Sequence, residues 1–351
     1  MRYRDLSFLA ALLLLSALVI PSVVAASSPN AKRAKVNQMV AMLPASDMVA
    51  TIDVKRFFGD ALPRLLSANQ PMLAEWLGKI DSMSDKSGID LRQFEFLAVG
   101  LNAKFVSEKN YELEPVILAR GTVNSQDVIV AARQASAERF REEAVNGKTM
   151  FTFSMTDLAN KIKTDETAAD AKPMIDKILI GTSSEISISA VDSNTVAIGS
   201  PERVRTLIGA RSKVGSDITR LLDRKPFAVI NFAGKAPGGL KSYLPLESDD
   251  LGKSIDAIRF AYGSMDVANG EMAMSLSARL ERLSQAEQLY DTLELMKAFG
   301  GGALGNSQRA DQQLYARLIQ SVKLSRNGNE ISLDLAIPQS DVDLLIAMLT
   351  K

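Results

Sequence analysis

Short runs of alternating apolar and polar residues, interleaved with helical stripes, organise most of the chain. After a turn at Leu43-Pro44-Ala45-Ser46-Asp47, residues Met48 to Val54 put Val49, Thr51 and Asp53 on one side. Met48, Ala50, Ile52 and Val54 fall on the other, the period of a strand. Leu62, Leu65 and Leu66 follow at helical spacing. After Pro71 comes a stripe of Met72, Leu73, Trp76, Leu77 and Ile80, with Trp76 expected in the core. Residues 93–102 and 114–121 read as strands, and Ser125 caps a helix bearing Val128, Ile129 and Ala132. Hairpins are expected at 139–154, turning on Asn146-Gly147, and at 185–199, bending at Asp192-Ser193-Asn194. Pro201 then opens a helix through Val204, Leu207 and Ile208.

The second half repeats this programme. Pro226 to Phe232 matches the opening strand, and Leu240 and Leu244 stand where Leu62 and Leu66 stood. Strands at 256–267 and 271–280 meet at Asn269-Gly270. Ala119-Arg120 precedes Ser125-Gln126 at a helix start, and Ala278-Arg279 precedes Ser284-Gln285 at the same spacing. A last hairpin, 321–337, turns at Asn327-Gly328. Pro338 and a helix with Val342, Leu345 and Ile346 then echo Val204, Leu207 and Ile208.

The fold class expected is therefore α+β, as two related halves from an internal duplication. Each is a mostly antiparallel sheet of hairpins packed with helices. A period of this length indicates a repeated domain, since solenoid repeats run only ~20–50 residues. The boundaries read as 1–26 signal peptide or N-terminal anchor, 27–42 linker, 43–213 first half and 214–351 second half. Two segments break the symmetry: 156–183, with a polar middle, and 299–308, whose Gly300-Gly301-Gly302 run reads as a flexible joint.

The N-terminus changes the compartment. Arg2 and Arg4 precede an apolar run from Leu6 to Ile20, Pro21 and Ser22 break it, and Val23-Val24-Ala25-Ala26 follows. This is the layout of a secretory signal cut after Ala25 or Ala26. An uncleaved anchor over Leu6 to Ala26 is the alternative, since that stretch just reaches bilayer length. Either way the body is expected outside the cytoplasm, in the periplasm or secreted after cleavage, or held at the inner membrane by residues 6–26.

Composition then removes chemistry. The 351 residues contain no His and no Cys, which excludes an imidazole base, a His-ligated zinc, a thiol nucleophile and disulfide staples. An exported protein of this kind relies on core burial alone. Lys+Arg and Asp+Glu are equal at 41 each, with no basic stripe, so nucleic acid is not an expected partner. The glycine run lacks the Lys-Ser/Thr ending of a phosphate loop and follows a helix. Met39/Met42 and Met272/Met274 recur as core patterns do, with Met272, Met274 and Leu276 on one strand face.

What survives is carboxylate and polar-pair chemistry. Glu247, Asp249 and Asp250 form one candidate carboxylate site, which also reads as a helix start. Glu142-Glu143 and Asp165-Glu166 are lesser clusters. Asp53 and Asn231 fall at matching strand positions and are the candidate ligand-binding pair. No catalytic residue, metal ligand or cofactor is assigned.

The Leu43-Pro44-Ala45-Ser46-Asp47 turn, the strand with Asp53 and the leading signal resemble a loose group of uncharacterised exported bacterial proteins. These open on a leucine–proline–small–acidic turn and continue as repeated α+β units. The resemblance implies bacterial export and carries no activity onto any residue. The expectation is a non-enzymatic exported cell-envelope protein that binds an envelope partner or a ligand. A carboxylate-dependent extracytoplasmic hydrolase and a membrane-anchored envelope assembly factor are the alternatives, and membrane contact is expected only if the N-terminal segment is retained.

Overall fold

The computed structural model describes residues 29–107, 110–136, 139–154, 185–209, 213–237, 249–268, 270–305 and 307–349. The expected signal segment, residues 156–183, Leu240, Leu244, Glu247 and Asn269 lie outside them. The fold is α+β, and the chain divides into two compact units. One comprises Met1–Phe58 with Glu75–Thr219, the other Gly59–Ala74 with Arg220–Lys351. A short segment of the first half of the chain, Gly59–Ala74, thus belongs to the second unit.

In the first unit the strands are β1 (Met48–Asp53), β2 (Phe94–Ser107), β3 (Asn110–Gly121), β4 (Arg141–Val145), β5 (Lys148–Ser154), β6 (Glu185–Asp192) and β7 (Thr195–Gly199). They lie in the order β1-β2-β3-β7-β6-β5-β4, and every neighbouring pair is antiparallel. Helix α1 (Pro29–Met42) stands where a linker was expected. Its polar N-terminal turns hid it, while Met39 and Val40 in the last turn are buried and Lys35 reaches Glu95 at 2.9 Å. A single turn, α2 (Val54–Arg56), is capped by the Asp53 carboxylate. Beyond it in the chain come α3 (Leu62–Leu65), which belongs to the second unit, α4 (Gln70–Ser87), whose first residues do too, α5 (Ser125–Ala135), α6 (Pro201–Ile208) and α7 (Ser216–Leu222), which runs across the cut after Thr219. Trp76 on α4 is half-buried, leaving Ile80 as that stripe's buried anchor.

Asn124, not Ser125, caps α5, because the Ser125 hydroxyl donates to the Asp192 carbonyl at 2.6 Å. On one sheet face Arg133 of α5 lies over the Phe151 ring. On the other, α6 buries Val204, Leu207 and Ile208 and lays Arg203 across Gly100. The β4–β5 turn sets Asn146 and Gly147 at φ 50° and 74°, the left-handed pair that an Asn-Gly hairpin requires.

The second unit holds β8 (Ile230–Lys235), β9 (Ile258–Ala268), β10 (Glu271–Leu280), β11 (Lys323–Asn327) and β12 (Glu330–Pro338), in the order β8-β9-β10-β12-β11. Its further helices are α8 (Asp249–Asp256), α9 (Leu283–Gly305), α10 (Ala310–Ser321) and α11 (Gln339–Leu349). Leu251, Leu280, Ala286, Leu289 and Ile331 form its core, where α8 and α9 cover one face of the sheet. That cover stops short: Met274 and Leu276, expected in the core, are 40% and 49% exposed.

The expected joint at 299–308 is mostly helix, since α9 runs through Gly305. Gly300 and Gly301 stand against Ile319 and Gln320 of α10, where a Cβ on Gly301 would meet the Gln320 side chain at 3.1 Å. The glycines let two helices approach closely instead of breaking one.

Candidate binding site

The two strand orders, β1-β2-β3-β7-β6 and β8-β9-β10-β12-β11, are the same path. Arg120 pairs with Phe96 and Thr195, and Arg279 pairs with Phe260 and Glu330. The next N–H bonds the hairpin turn in both: Gly121 to the Asn194 carbonyl at 3.1 Å, and Leu280 to that of Asn329 at 2.9 Å. Counting from these anchors, the row Val49, Gly100, Val116, Gly199 and Ser187 of the first unit corresponds to Asn231, Ser264, Ser275, Asp334 and Lys323 of the second.

These matching rows have opposite fates. In the first unit, α6 begins two residues beyond Gly199, and Arg203 folds back over the row. Arg203 is only 6% exposed, and its guanidinium donates to the Ala45 carbonyl and, at 2.6 Å, to the Ser46 hydroxyl. Burial pushes its pKa down. A Cβ on Gly100 would lie 2.5 Å from Ser46 Oγ, so the space is filled.

In the second unit, β12 continues past Asp334 to Pro338, still paired with β10, before α11 starts. The row stays open as the floor of a recess of about 430 Å³. The loop Arg224–Ala228 forms its rim, with Phe227 half-exposed there. Asn231, at the inner end of the row, is buried and donates its side-chain amide to the Lys225 carbonyl; the Ala228 N–H bonds the same oxygen at 3.1 Å. One buried amide therefore shapes the rim.

Next to the recess stands a closed ionic network. Glu330 accepts from Arg224 at 2.8 Å and from Arg279 at 2.7 Å, while Arg224 lies 4.9 Å over the Tyr262 ring. Burial alone would raise the Glu330 carboxyl, but the bonds from Arg224 and Arg279 outweigh it and hold the pKa below the usual glutamate value. Ser277 and Ser332, in the adjoining row, bond each other at 2.7 Å.

The expected pair falls one residue in each unit. Asp53 caps α2 through the Arg56 N–H and lies 3.7 Å from Lys32. Its register counterpart is Lys235, and that of Asn231 is Val49, so the two are not equivalent. The observed strand begins at Ile230, because Pro226 to Val229 are spent on the rim loop. Asp249 and Asp250 open α8, and Glu247 lies outside the described residues. Glu143 is held by Arg205 through two bonds, at 3.0 and 2.7 Å, which lower its pKa. Among the described residues, no group of three or more acidic side chains is placed to hold a metal ion, and no helix is long and apolar enough to cross a membrane. The recess residues escaped sequence reading because Ser275 and Asp334 are ordinary strand positions until the register aligns them.

No protein-family model and no curated protein sequence matches the chain. Among solved structures it is similar to crystal form IV of TP0453, with a TM-score of 0.43 and 10% identity over 91% of this chain and 99% of that one. Crystal form I of TP0453 gives 0.42 and 10% over 89% and 97%.

Proposed function

We propose that the chain is a non-enzymatic exported protein of the cell envelope whose second unit binds a small ligand in the recess bounded by loop 224–228. The observation that carries this reading is the open polar row of the second unit, whose counterpart in the first is sealed by Arg203. Its volume falls within the ~300–1,000 Å³ of small-molecule sites. Arg2, Arg4 and the apolar run to Ile20 support export, and the shared strand path supports descent of both units from one ancestral domain.

The test uses the dialysable fraction of a bacterial periplasmic extract as the added probe and thermal unfolding as the readout. The mature chain is expected to gain stability, as binding to the folded state requires. Ala273→Trp, which fills the recess from its floor, is expected to abolish the gain. Equal stabilisation of both chains would overturn the reading.

A further inference from the structure

We propose that the recess recognises an α-amino-acid zwitterion, with its ammonium at Asp334, its carboxylate at Lys323 and its side chain along the apolar rim. This rests on the binding role assigned to the recess above and names its ligand class.

The inference comes from a contrast between adjacent rows of one sheet. Beyond the recess Ser277 bonds Ser332, and Tyr262, Arg279 and Arg224 all bond Glu330. Inside the recess Ser264, Ser275, Asp334 and Lys323 sit side by side across β9, β10, β12 and β11. Among the described residues none of these four side chains makes a hydrogen bond or ion pair. Lys323 and Asp334 are direct cross-strand partners, yet do not close to the 4.0 Å of a salt bridge. Facing side chains in such a pair start about 5 Å apart at Cβ, so opposite charges left open there are addressed to something else.

A ligand matching them needs an anion and a cation about as far apart as one carbon permits, which is the α-amino acid head. The hydroxyls of Ser264 and Ser275 extend the polar floor, while Pro226, Phe227, Ala273 and Ala336 offer an apolar surface for a side chain. The alternation of charge matters more than its sum. A row of one sign would attract a simple ion, but neighbouring opposite charges favour a molecule carrying both.

Isothermal titration of the full mature chain with L-leucine, L-leucinamide, N-acetyl-L-leucine and N-acetyl-L-leucinamide tests this. Leucine is expected to bind, and each derivative lacking one charge is expected to bind roughly 10- to 100-fold more weakly, the worth of one charge-assisted hydrogen bond. Asp334→Asn should weaken leucine while narrowing its advantage over N-acetyl-leucine. Lys323→Met should narrow its advantage over leucinamide. Both positions lie outside the core, so the variants are expected to fold, which circular dichroism checks. Equal binding of leucine and N-acetyl-leucinamide, no binding of leucine, or unchanged leucine binding in Asp334→Asn would each overturn the proposal. If leucine fails while the periplasmic extract still stabilises the chain and Ala273→Trp removes that effect, the ligand class falls and the binding role stands. If Ala273→Trp has no effect on the extract, the binding role falls as well.

Discussion

At the scale of single residues, polar groups inside the second unit divide into those that hold the recess and those that face it. Glu330 belongs to the first kind: it fixes Arg224 on the rim through two hydrogen bonds, at 2.8 and 3.1 Å. Its folded pKa is depressed, so its contribution is present above the ordinary value of 4.5 and lost as pH falls through the lower folded value. Thermal melts of the native chain should therefore lose stability below about pH 4.5, and Glu330→Gln should flatten that acid limb while lowering the melting temperature at neutral pH. Asn231 is the second holding residue. Asn231→Leu would leave the Lys225 carbonyl one partner short, at a cost of about 1–3 kcal/mol in urea unfolding. It should also weaken any ligand at the recess, because the rim loses its tie. The same substitution at a solvent-facing asparagine would do neither. Sequence alone singled out Asn231 for a defective reason, a supposed match to Asp53. A polar residue in an apolar strand was the real signal.

At the scale of elements, the hairpins were the most legible part of the chain. Asn146-Gly147 names its own turn, since both residues take left-handed backbone; the last hairpin, expected to turn on Asn327-Gly328, turns one residue later on Gly328-Asn329, with Gly328 alone left-handed. The helices were less legible where burial is uneven. Polar turns concealed α1, and α10 was missed because Leu314 and Ala316 are its only buried residues. The glycine run misled most, because glycine signals a break in local terms, and only packing against α10 reveals its use in a helix. Its members are not equal. A Cβ on Gly302 would meet nothing within 4 Å, whereas one on Gly301 would press on Gln320. Gly302→Ala should therefore stabilise the chain by about 0.5–1 kcal/mol through helix propensity alone. Gly301→Val should instead be destabilising, since a branched side chain on that buried glycine crowds Gln320 of α10 and lowers helix propensity. Paired denaturant curves for the two variants check the opposite signs.

At the scale of the whole molecule, one segment leaves the sequence order of the compact units. Gly59–Ala74 lies in the first half of the chain but belongs to the second unit. There α3 packs on α11, the Gln339 amide donates to the Arg64 carbonyl at 2.7 Å and to the Ser67 hydroxyl at 2.9 Å, and Leu62 and Leu66 are buried. No local pattern could announce this, because Leu62, Leu65 and Leu66 show only that some partner exists. A fragment beginning at Ser216 would keep every strand of the second unit but lack that cover, exposing the face of α11 that α3 occupies. It should unfold at lower denaturant than the same unit within the full chain. A synthetic peptide of residues 59–74 should restore part of the loss in a concentration-dependent way, as mass action requires of a segment that binds only the folded form. Leu62→Ala with Leu66→Ala in the peptide should remove the rescue. If the fragment alone matches the full chain's second transition, the exchanged segment contributes nothing to the unit it joins.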